Sequence, residues 1–318
     1  MATTVLVVED DLEINELIGE YFALENIKPL QAPTGKLGIH LAQEKHPDAV
    51  ILDLMLPDID GYEVARTLSS QRATADIPII ILSCMCLADD KNKGFANGAF
   101  YYMNKPFLPD DLLATVRQAL DWKATLPSRT PAGTMALGLE PAAGSRAINQ
   151  MTAELFARTA IPDAEVWQMR EGIELLDAWS RQWNVDHKSA LPLKLEYRIT
   201  PSAIGTSAGA VEWKLNEEKP GMLDDAFFKA AVTSGGWGAV NFLSRPAAPS
   251  APPAKWLEIL LKTGASTFEK DSKARFVRFS RQGRTLASAP SGAAVPVVEI
   301  GQPANSRLRP EAVAAQQN

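Results

Sequence analysis

Four short apolar runs near the start of the sequence are each followed by, or end in, side chains that could take part in phosphoryl chemistry. Glu9 and Asp10 follow the run TVLVV, Asp53 lies near the end of DAVILDL, Ser83 ends IPIIILS and Lys105 comes shortly after AFYYM. If these runs are parallel strands, their carboxyl ends meet at one edge of a sheet. We therefore expect these side chains to lie close together.

Carboxylates brought together in this way repel one another unless a cation lies between them. Mg²⁺ binds oxygen ligands and keeps coordination positions open for phosphate oxygens. The ammonium of Lys105 and the hydroxyl of Ser83 would suit the oxygens of a phosphoryl group. Asp53, at the centre of the set, is then the candidate nucleophile, since aspartyl phosphates are known covalent intermediates.

The residues around these runs alternate between strand-like and helix-like patterns. Strands that are buried on both faces read as continuous apolar runs. Apolar residues at helical spacing predict helices over 12–24, 36–45, 61–71, 88–97 and 109–122. Asp11 is expected to cap the first helix. Repeated strand–helix units predict an α/β fold, a doubly wound five-stranded parallel sheet with helices on both faces.

Taken in order, the segments VLVVEDD, ILDLMLPDIDG, IIILS and NKPF resemble the receiver domain of bacterial two-component response regulators. The resemblance covers residues 1–122 and implies that a sensor histidine kinase or a phosphotransfer protein phosphorylates Asp53. It also implies that Asp10, Asp53 and the backbone carbonyl of Met55 bind Mg²⁺, with Glu9 acting through water. Such a receiver catalyses only its own phosphotransfer and dephosphorylation, and further enzyme activity stays open.

The same resemblance assigns roles around the phosphoryl group and the conformational switch. Ser83 stands where the family more often has Thr and keeps the hydroxyl; with Lys105 it would contact the phosphoryl oxygens. Tyr102 matches the switch aromatic, whose ring would move inward as Ser83 is drawn to the phosphoryl group. Cys84 and Cys86 are expected to be reduced and to fill the buried end of the strand.

The composition changes after the predicted receiver. Between 123 and 145 Pro, Gly, Ala and Ser dominate, which predicts a linker. Residues 146–281 contain helix-like and alternating strand-like segments, which predict a second α/β (α+β) output domain. Residues 282–318 are rich in Ala and Pro and predict a flexible tail.

The order of segments in this output domain resembles the ATP-binding domain shared by histidine kinases and anti-sigma-factor kinases. Asp177 stands where that family has a Mg²⁺-binding Asn, and Glu217 and Gly221 stand in the motif that reads the nucleotide. Gly236 and Gly238 match a glycine turn before a phosphate-binding helix. The replaced residues imply a degenerate, non-catalytic interaction domain, and ATP binding stays open.

The charge distribution bears on the partners. Residues 1–122 hold 9 Lys and Arg against 19 Asp and Glu, a formal charge of −10, and the remainder carries a formal charge of +4. This balance argues against nucleic acid at the first domain, and the second shows no clear helix-turn-helix pattern. We predict an output protein partner. A DNA-binding transcriptional regulator, an active ATP-dependent kinase output domain and a homodimer stay open as alternatives.

The sequence gives no sign of a membrane protein. No apolar run approaches the roughly 20 residues of a membrane-spanning helix. The first residues lack the basic start of a signal peptide. We therefore expect a cytoplasmic protein.

Overall fold

The structure is a computed structural model, and it describes residues 3–126, 131–202, 209–217, 266–271 and 276–282. Two sheets with their helices account for these residues, and both sheets belong to one compact unit. Within the described ranges, no helix is both long enough and apolar enough to cross a membrane.

The first sheet has five parallel strands in the order β2-β1-β3-β4-β5. Its strands are β1 (Thr4–Val8), β2 (Lys28–Ala32), β3 (Ala49–Leu52), β4 (Ile79–Ser83) and β5 (Tyr101–Asn104). Its helices are α1 (Leu12–Leu24), α2 (Gly35–Lys45), α3 (Gly61–Ser69), α4 (Ala88–Ala96) and α5 (Pro109–Thr125). The doubly wound parallel sheet predicted from the sequence is confirmed.

Burial on both faces explains why helices cover this sheet on two sides. Every residue of β3 and β4 is buried, as is all of β1 except its first residue. Leu6 packs in one core with Phe95 from α4, whereas Val7 packs in the other with Phe22 from α1. Asp11 caps α1 as predicted, because its carboxylate accepts hydrogen bonds from two amides of the first turn.

The second sheet is antiparallel, with the strand order β6-β7-β8-β10-β9. Its elements are β6 (Ala132–Leu137), α6 (Pro141–Arg158), α7 (Asp163–Asp186), β7 (Leu193–Thr200), β8 (Ala210–Glu217), β9 (Ser266–Asp271) and β10 (Phe276–Gln282). Residues of β6, β7 and β8 form one apolar core with α6 and α7. This second region of mixed helices and strands agrees with the predicted α+β class.

The linker predicted over 123–145 is wrong over most of its length. Helix α5 continues to Thr125, β6 occupies 132–137, and Pro141 starts α6. Met135 and Leu137 are buried in the second core, but the small residues around them obscure this alternation in the sequence. Pro141 lies in the first turn of α6, where a missing amide costs little, so it starts a helix instead of breaking the chain. From residue 283 on, the predicted tail lies outside the described residues.

Arg72, in the loop after α3, connects the first region with the turn between α6 and α7. Its guanidinium donates to the backbone carbonyls of Phe156, Thr159 and Ile161. Its Nε also donates to the Asp163 carboxylate at 3.1 Å. The last carbonyls of a helix have no partner within the helix, so this one side chain satisfies several groups at the end of α6.

Gly61 offers a test of how tightly α3 approaches the end of β3. A Cβ there would lie 2.4 Å from the backbone oxygen of Asp53 and 2.6 Å from Leu54 Cα. Because backbone atoms cannot yield as a side chain can, Gly61→Ala should lower the free energy of unfolding by about 1–3 kcal/mol. Urea denaturation would measure the loss.

Gly19 in α1 provides the matched control for this substitution. Its nearest contact for a new Cβ is the Gln31 side-chain nitrogen at 3.4 Å. Alanine is preferred over glycine inside a helix by about 1 kcal/mol, so Gly19→Ala should leave stability unchanged or slightly higher. Equal stability of the two variants would contradict the close approach at Gly61.

Candidate functional site

One ammonium group lies between two buried carboxylates at the carboxyl edge of the first sheet. Lys105 Nζ donates to Glu9 Oε2 at 2.6 Å and to Asp53 Oδ2 at 2.8 Å. These residues follow β5, β1 and β3, so three strands contribute to one cluster. The sheet thereby joins Glu9 to Lys105 across 96 positions of sequence. The peptide bond between Lys105 and Pro106 is cis.

Asp53 is held through both of its carboxylate oxygens. Oδ2 accepts from Lys105, while Oδ1 accepts from the backbone amides of Leu54 at 2.6 Å and Met55 at 3.3 Å. The residue is only 6% exposed. Hydrogen bonds from two amides and an ammonium therefore fix the orientation of the carboxylate.

Burial and hydrogen bonding oppose each other in the electrostatics of this edge. Burial is the main cause that raises the pKa of Glu9 to about 7; the hydrogen bond from Lys105 opposes the rise, and the Asp53 charge adds to it. Burial alone would lower the pKa of Lys105, but its hydrogen bonds with Asp53 and Glu9 outweigh burial and raise it. A permanent positive charge therefore stands beside Asp53 at neutral pH.

Asp10 adds a third carboxylate to the cluster. The ligand oxygens of Glu9, Asp10 and Asp53 all lie within 4.8 Å of one another. Asp10 is exposed while Glu9 and Asp53 are buried, so a cation could enter the cluster from solvent and keep water molecules as ligands. Carboxylate oxygens are the donors that Mg²⁺ prefers, and the residues fit that ion. Met55 is adjacent to the cluster, and metal binding by its carbonyl stays a prediction.

The loop after β4 connects Ser83 with Tyr102. Ser83 is fully buried, and its Oγ accepts from the Met85 amide at 3.2 Å. Tyr102 is 7% exposed and donates its hydroxyl to the Met85 carbonyl at 2.7 Å. The Tyr102 ring is buried in this structure, and the predicted inward motion of the ring stays a prediction. Cys84 and Cys86 are exposed, so their expected burial is wrong: the strand ends at Ser83 and the chain turns outward.

Of the predicted nucleotide-binding residues, the structure describes Asp177 and Glu217. Asp177 is buried, and its carboxylate binds the Gly138 amide at 2.8 Å through Oδ1 and Arg181 through Oδ2. Glu217 ends β8 opposite Leu193. The remaining predicted residues, Gly221, Gly236 and Gly238, lie outside the described residues. Asp177 thus joins the turn before α6 to α7, and its role toward a nucleotide stays a prediction.

Two supporting residues escape the sequence analysis. Asn15 of α1 is 3% exposed, and its side-chain amide donates to the Glu9 carbonyl at 2.9 Å. Tyr62 of α3 donates its hydroxyl to the Asp90 carbonyl of α4 at 3.1 Å. A polar amide among apolar helix positions could have signalled Asn15. Tyr62 carries no such signal, because a core tyrosine usually finds some hydrogen-bond partner.

Comparison with known proteins assigns this part of the chain to a family. Residues 5–117 match the model of the response regulator receiver domain. The chain is similar to the DNA-binding dual master transcriptional regulator RpaA of Synechocystis, with 38% identity over 116 residues, 36% of this chain and 48% of RpaA. It is also similar to the phosphate regulon transcriptional regulatory protein PhoB of Pseudomonas aeruginosa, with 32% identity over 152 residues, 48% of this chain and 66% of PhoB. The chain spans less than two thirds of each relative.

Solved structures show the same kind of similarity. A CheY-like receiver domain protein from Methanospirillum hungatei is 22% identical to this chain. The match covers 39% of this chain and 98% of the CheY-like protein, with a TM-score of 0.38. The receiver domain of RstA from Klebsiella pneumoniae is 30% identical and covers 37% and 98%, with a TM-score of 0.35. From the family match and the curated relatives, residues 5–117 are a response regulator receiver domain.

The acidic cluster predicts a specific effect on cation binding. Asp10→Asn should weaken Mg²⁺ binding by about tenfold or more, because even the loss of outer-shell partners of a metal costs about 10–100-fold. Isothermal titration calorimetry with MgCl₂ would measure the change.

Asp11→Asn is the matched control. It removes the same charge one position away, and Asn caps a helix as well as Asp does. Its Mg²⁺ affinity should match the wild type, and a similar loss in both variants would indicate a general charge effect instead of a ligand at Asp10.

Proposed function

We propose that this protein receives a phosphoryl group on Asp53 from a histidine kinase or phosphotransfer protein, and acts in the cytoplasm through a second, protein-binding region. The observation that carries the proposal is the ammonium of Lys105 held at 2.8 Å from an oriented Asp53 carboxylate. The adjacent acidic cluster supports the Mg²⁺ that such a transfer requires.

The residues present divide the work of the transfer. A carboxylate oxygen of Asp53 forms the bond to phosphorus while the bond from phosphorus to the donor's nitrogen breaks. Bound Mg²⁺ would supply positive charge to the phosphoryl oxygens. The Lys105 ammonium can exchange its hydrogen bond to the Asp53 carboxylate for one to an oxygen of the new phosphoryl group. The Ser83 hydroxyl can donate to a phosphoryl oxygen while its Oγ accepts from the Met85 amide.

Two contacts of Asp177 argue against a nucleotide site in the second region. Both carboxylate oxygens of Asp177 already have intramolecular partners, Gly138 and Arg181. The resemblance to an ATP-binding domain therefore points to a degenerate form in which this position has a structural role. A phosphorylated receiver would alter what this region contacts by biasing one of two pre-existing arrangements.

DNA binding is the second candidate output. RpaA is described as DNA-binding, and PhoB is described as transcriptional. The RpaA similarity extends over 116 residues, about the length of the receiver. In the described residues, α6 and α7 pack against a β-sheet through an apolar core, an arrangement that commits their apolar faces within the domain. We therefore rank DNA binding behind a protein partner.

Phosphorylation at Asp53 can be tested directly. Incubation of the full chain with acetyl phosphate and Mg²⁺ should add one phosphoryl group to the wild type, and Asp53→Asn should abolish it because the amide is not a nucleophile. Intact-mass spectrometry would detect the addition.

Asp60→Asn serves as the control, since Asp60 lies in the same loop and caps α3. It should be phosphorylated like the wild type. Equal phosphorylation of Asp53→Asn and the wild type would overturn the assignment of Asp53.

The output is distinguished by two binding measurements on the full chain. Calorimetry with millimolar ATP and Mg²⁺ should show no binding beyond that of Mg²⁺ alone, because Asp177 is already engaged. A mobility shift with duplex DNA at low salt should also be absent, since DNA affinity rests largely on neutralised phosphates and rises as salt falls. ATP binding that Asp177→Asn abolishes would favour the kinase-like output. A salt-dependent shift would favour the transcriptional one.

A further inference from the structure

Arg170 of α7 is a charged side chain enclosed by the fold. It is 2% exposed, and burial lowers its pKa. Glu174, one turn further along α7, lies 2.9 Å from its Nη2. A buried guanidinium persists only where its charge and its donors find partners. The position of those partners therefore shows what Arg170 holds in place.

The C-terminal end of α4, in the receiver, provides one of these partners directly and others through Asn149. Arg170 Nη2 donates to the Ala96 carbonyl at 2.6 Å, and its Nε and Nη2 donate to Asn149 Oδ1 at 3.2 and 2.8 Å. Asn149, on α6, in turn donates through Nδ2 to the carbonyls of Phe95 at 2.9 Å and Ala99 at 3.1 Å. The last carbonyls of a helix lack partners within it and carry its negative dipole end. A cation and an amide are therefore well matched to them.

The other parts of α4 meet the residues around the phosphorylation site. Its first turn follows the loop in which Met85 binds both Ser83 and Tyr102. Near its far end, Gly94 lies against the Tyr102 ring so closely that a Cβ would be 2.8 Å from Tyr102 Cδ2. Between them, the Asp90 carbonyl accepts from the Tyr62 hydroxyl. The position of α4 thus determines where the loop after Ser83 and the Tyr102 ring can lie.

From this arrangement we infer that Arg170 and Asn149 are positioning residues for phosphorylation of Asp53, acting from the second region through α4. The inference rests on the proposed function. Helix α4 has only 9 residues, and isolated helices shorter than about 12–15 residues are marginal in water. Its order must therefore come from packing and from partners at its ends. Without Arg170 or Asn149, α4 and the loop after Ser83 become less ordered. The Ser83 hydroxyl then forms its hydrogen bond to the phosphoryl group less often, and phosphorylation is slower.

The test uses the full chain with acetyl phosphate at saturating Mg²⁺. Arg170→Met and Asn149→Ala should each slow the initial rate of Asp53 phosphorylation by about fivefold or more, the lower end of ordinary coupling between sites. Mg²⁺ affinity should stay at the wild-type value, because the acidic cluster follows β1 and β3 and receives no bond from α4 in the described contacts. General unfolding would weaken both, so the two readouts separate positioning from stability. Arg170→Lys keeps the charge but not the planar fork, and its rate should be intermediate.

Arg66→Ala is the matched control, because it also removes a contact between the receiver and α7. Arg66 lies on α3, pairs with Glu171 at 3.1 Å between exposed side chains, and has no hydrogen bond to α4 among the described contacts. Its rate should match the wild type. Rates for Arg170→Met and Asn149→Ala within twofold of the wild type, or faster, would overturn the inference, as would an equal loss in Arg66→Ala. No phosphorylation of the wild type would instead overturn the proposed function, and with it the inference.

Discussion

The hydrogen bonds of Lys105 with Glu9 and Asp53 are the interaction on which the receiver's site depends. Two carboxylates buried at one edge of a sheet would repel each other and would be costly to desolvate. A shared ammonium at 2.6 and 2.8 Å compensates both and ties together the ends of β1, β3 and β5. Removal of one partner from a buried ion pair commonly costs about 3–5 kcal/mol, because the remaining charge is left uncompensated. The site and the stability of the sheet edge therefore share the same bonds.

The close approach of α3 gives this edge its shape. Gly61 brings the start of the helix against the backbone of Asp53, and the amides of Leu54 and Met55 turn toward the carboxylate. One oxygen of Asp53 is thus fixed by backbone and the other by a side chain. Orientation comes from the fold, and charge compensation comes from Lys105. The exposed Asp10 is the one member of the acidic cluster that faces solvent.

The receiver could be predicted from sequence because its signals are local and consistent. Apolar runs on β1, β3 and β4 marked buried parallel strands, and the polar residues after them marked the edge. The secondary structure of the second region is harder to predict from sequence. The apolar alternation of Met135 and Leu137 is obscured among small residues, so the sequence predicts a linker where β6 forms. The contacts of Arg72, Asn149 and Arg170 cannot be predicted for a different reason. Their acceptors are mostly backbone carbonyls, which every residue has, so no residue type indicates them.

The many bonds of Arg72 bear on how this protein can be divided. The Arg72 guanidinium, in a loop of the receiver, donates to three backbone carbonyls around the turn between α6 and α7. A receiver fragment cut after α5 would present that guanidinium to water, and the excised remainder would keep unpaired carbonyls at the end of α6. Exchange of the receiver for one lacking this arginine would therefore disturb the second region as well.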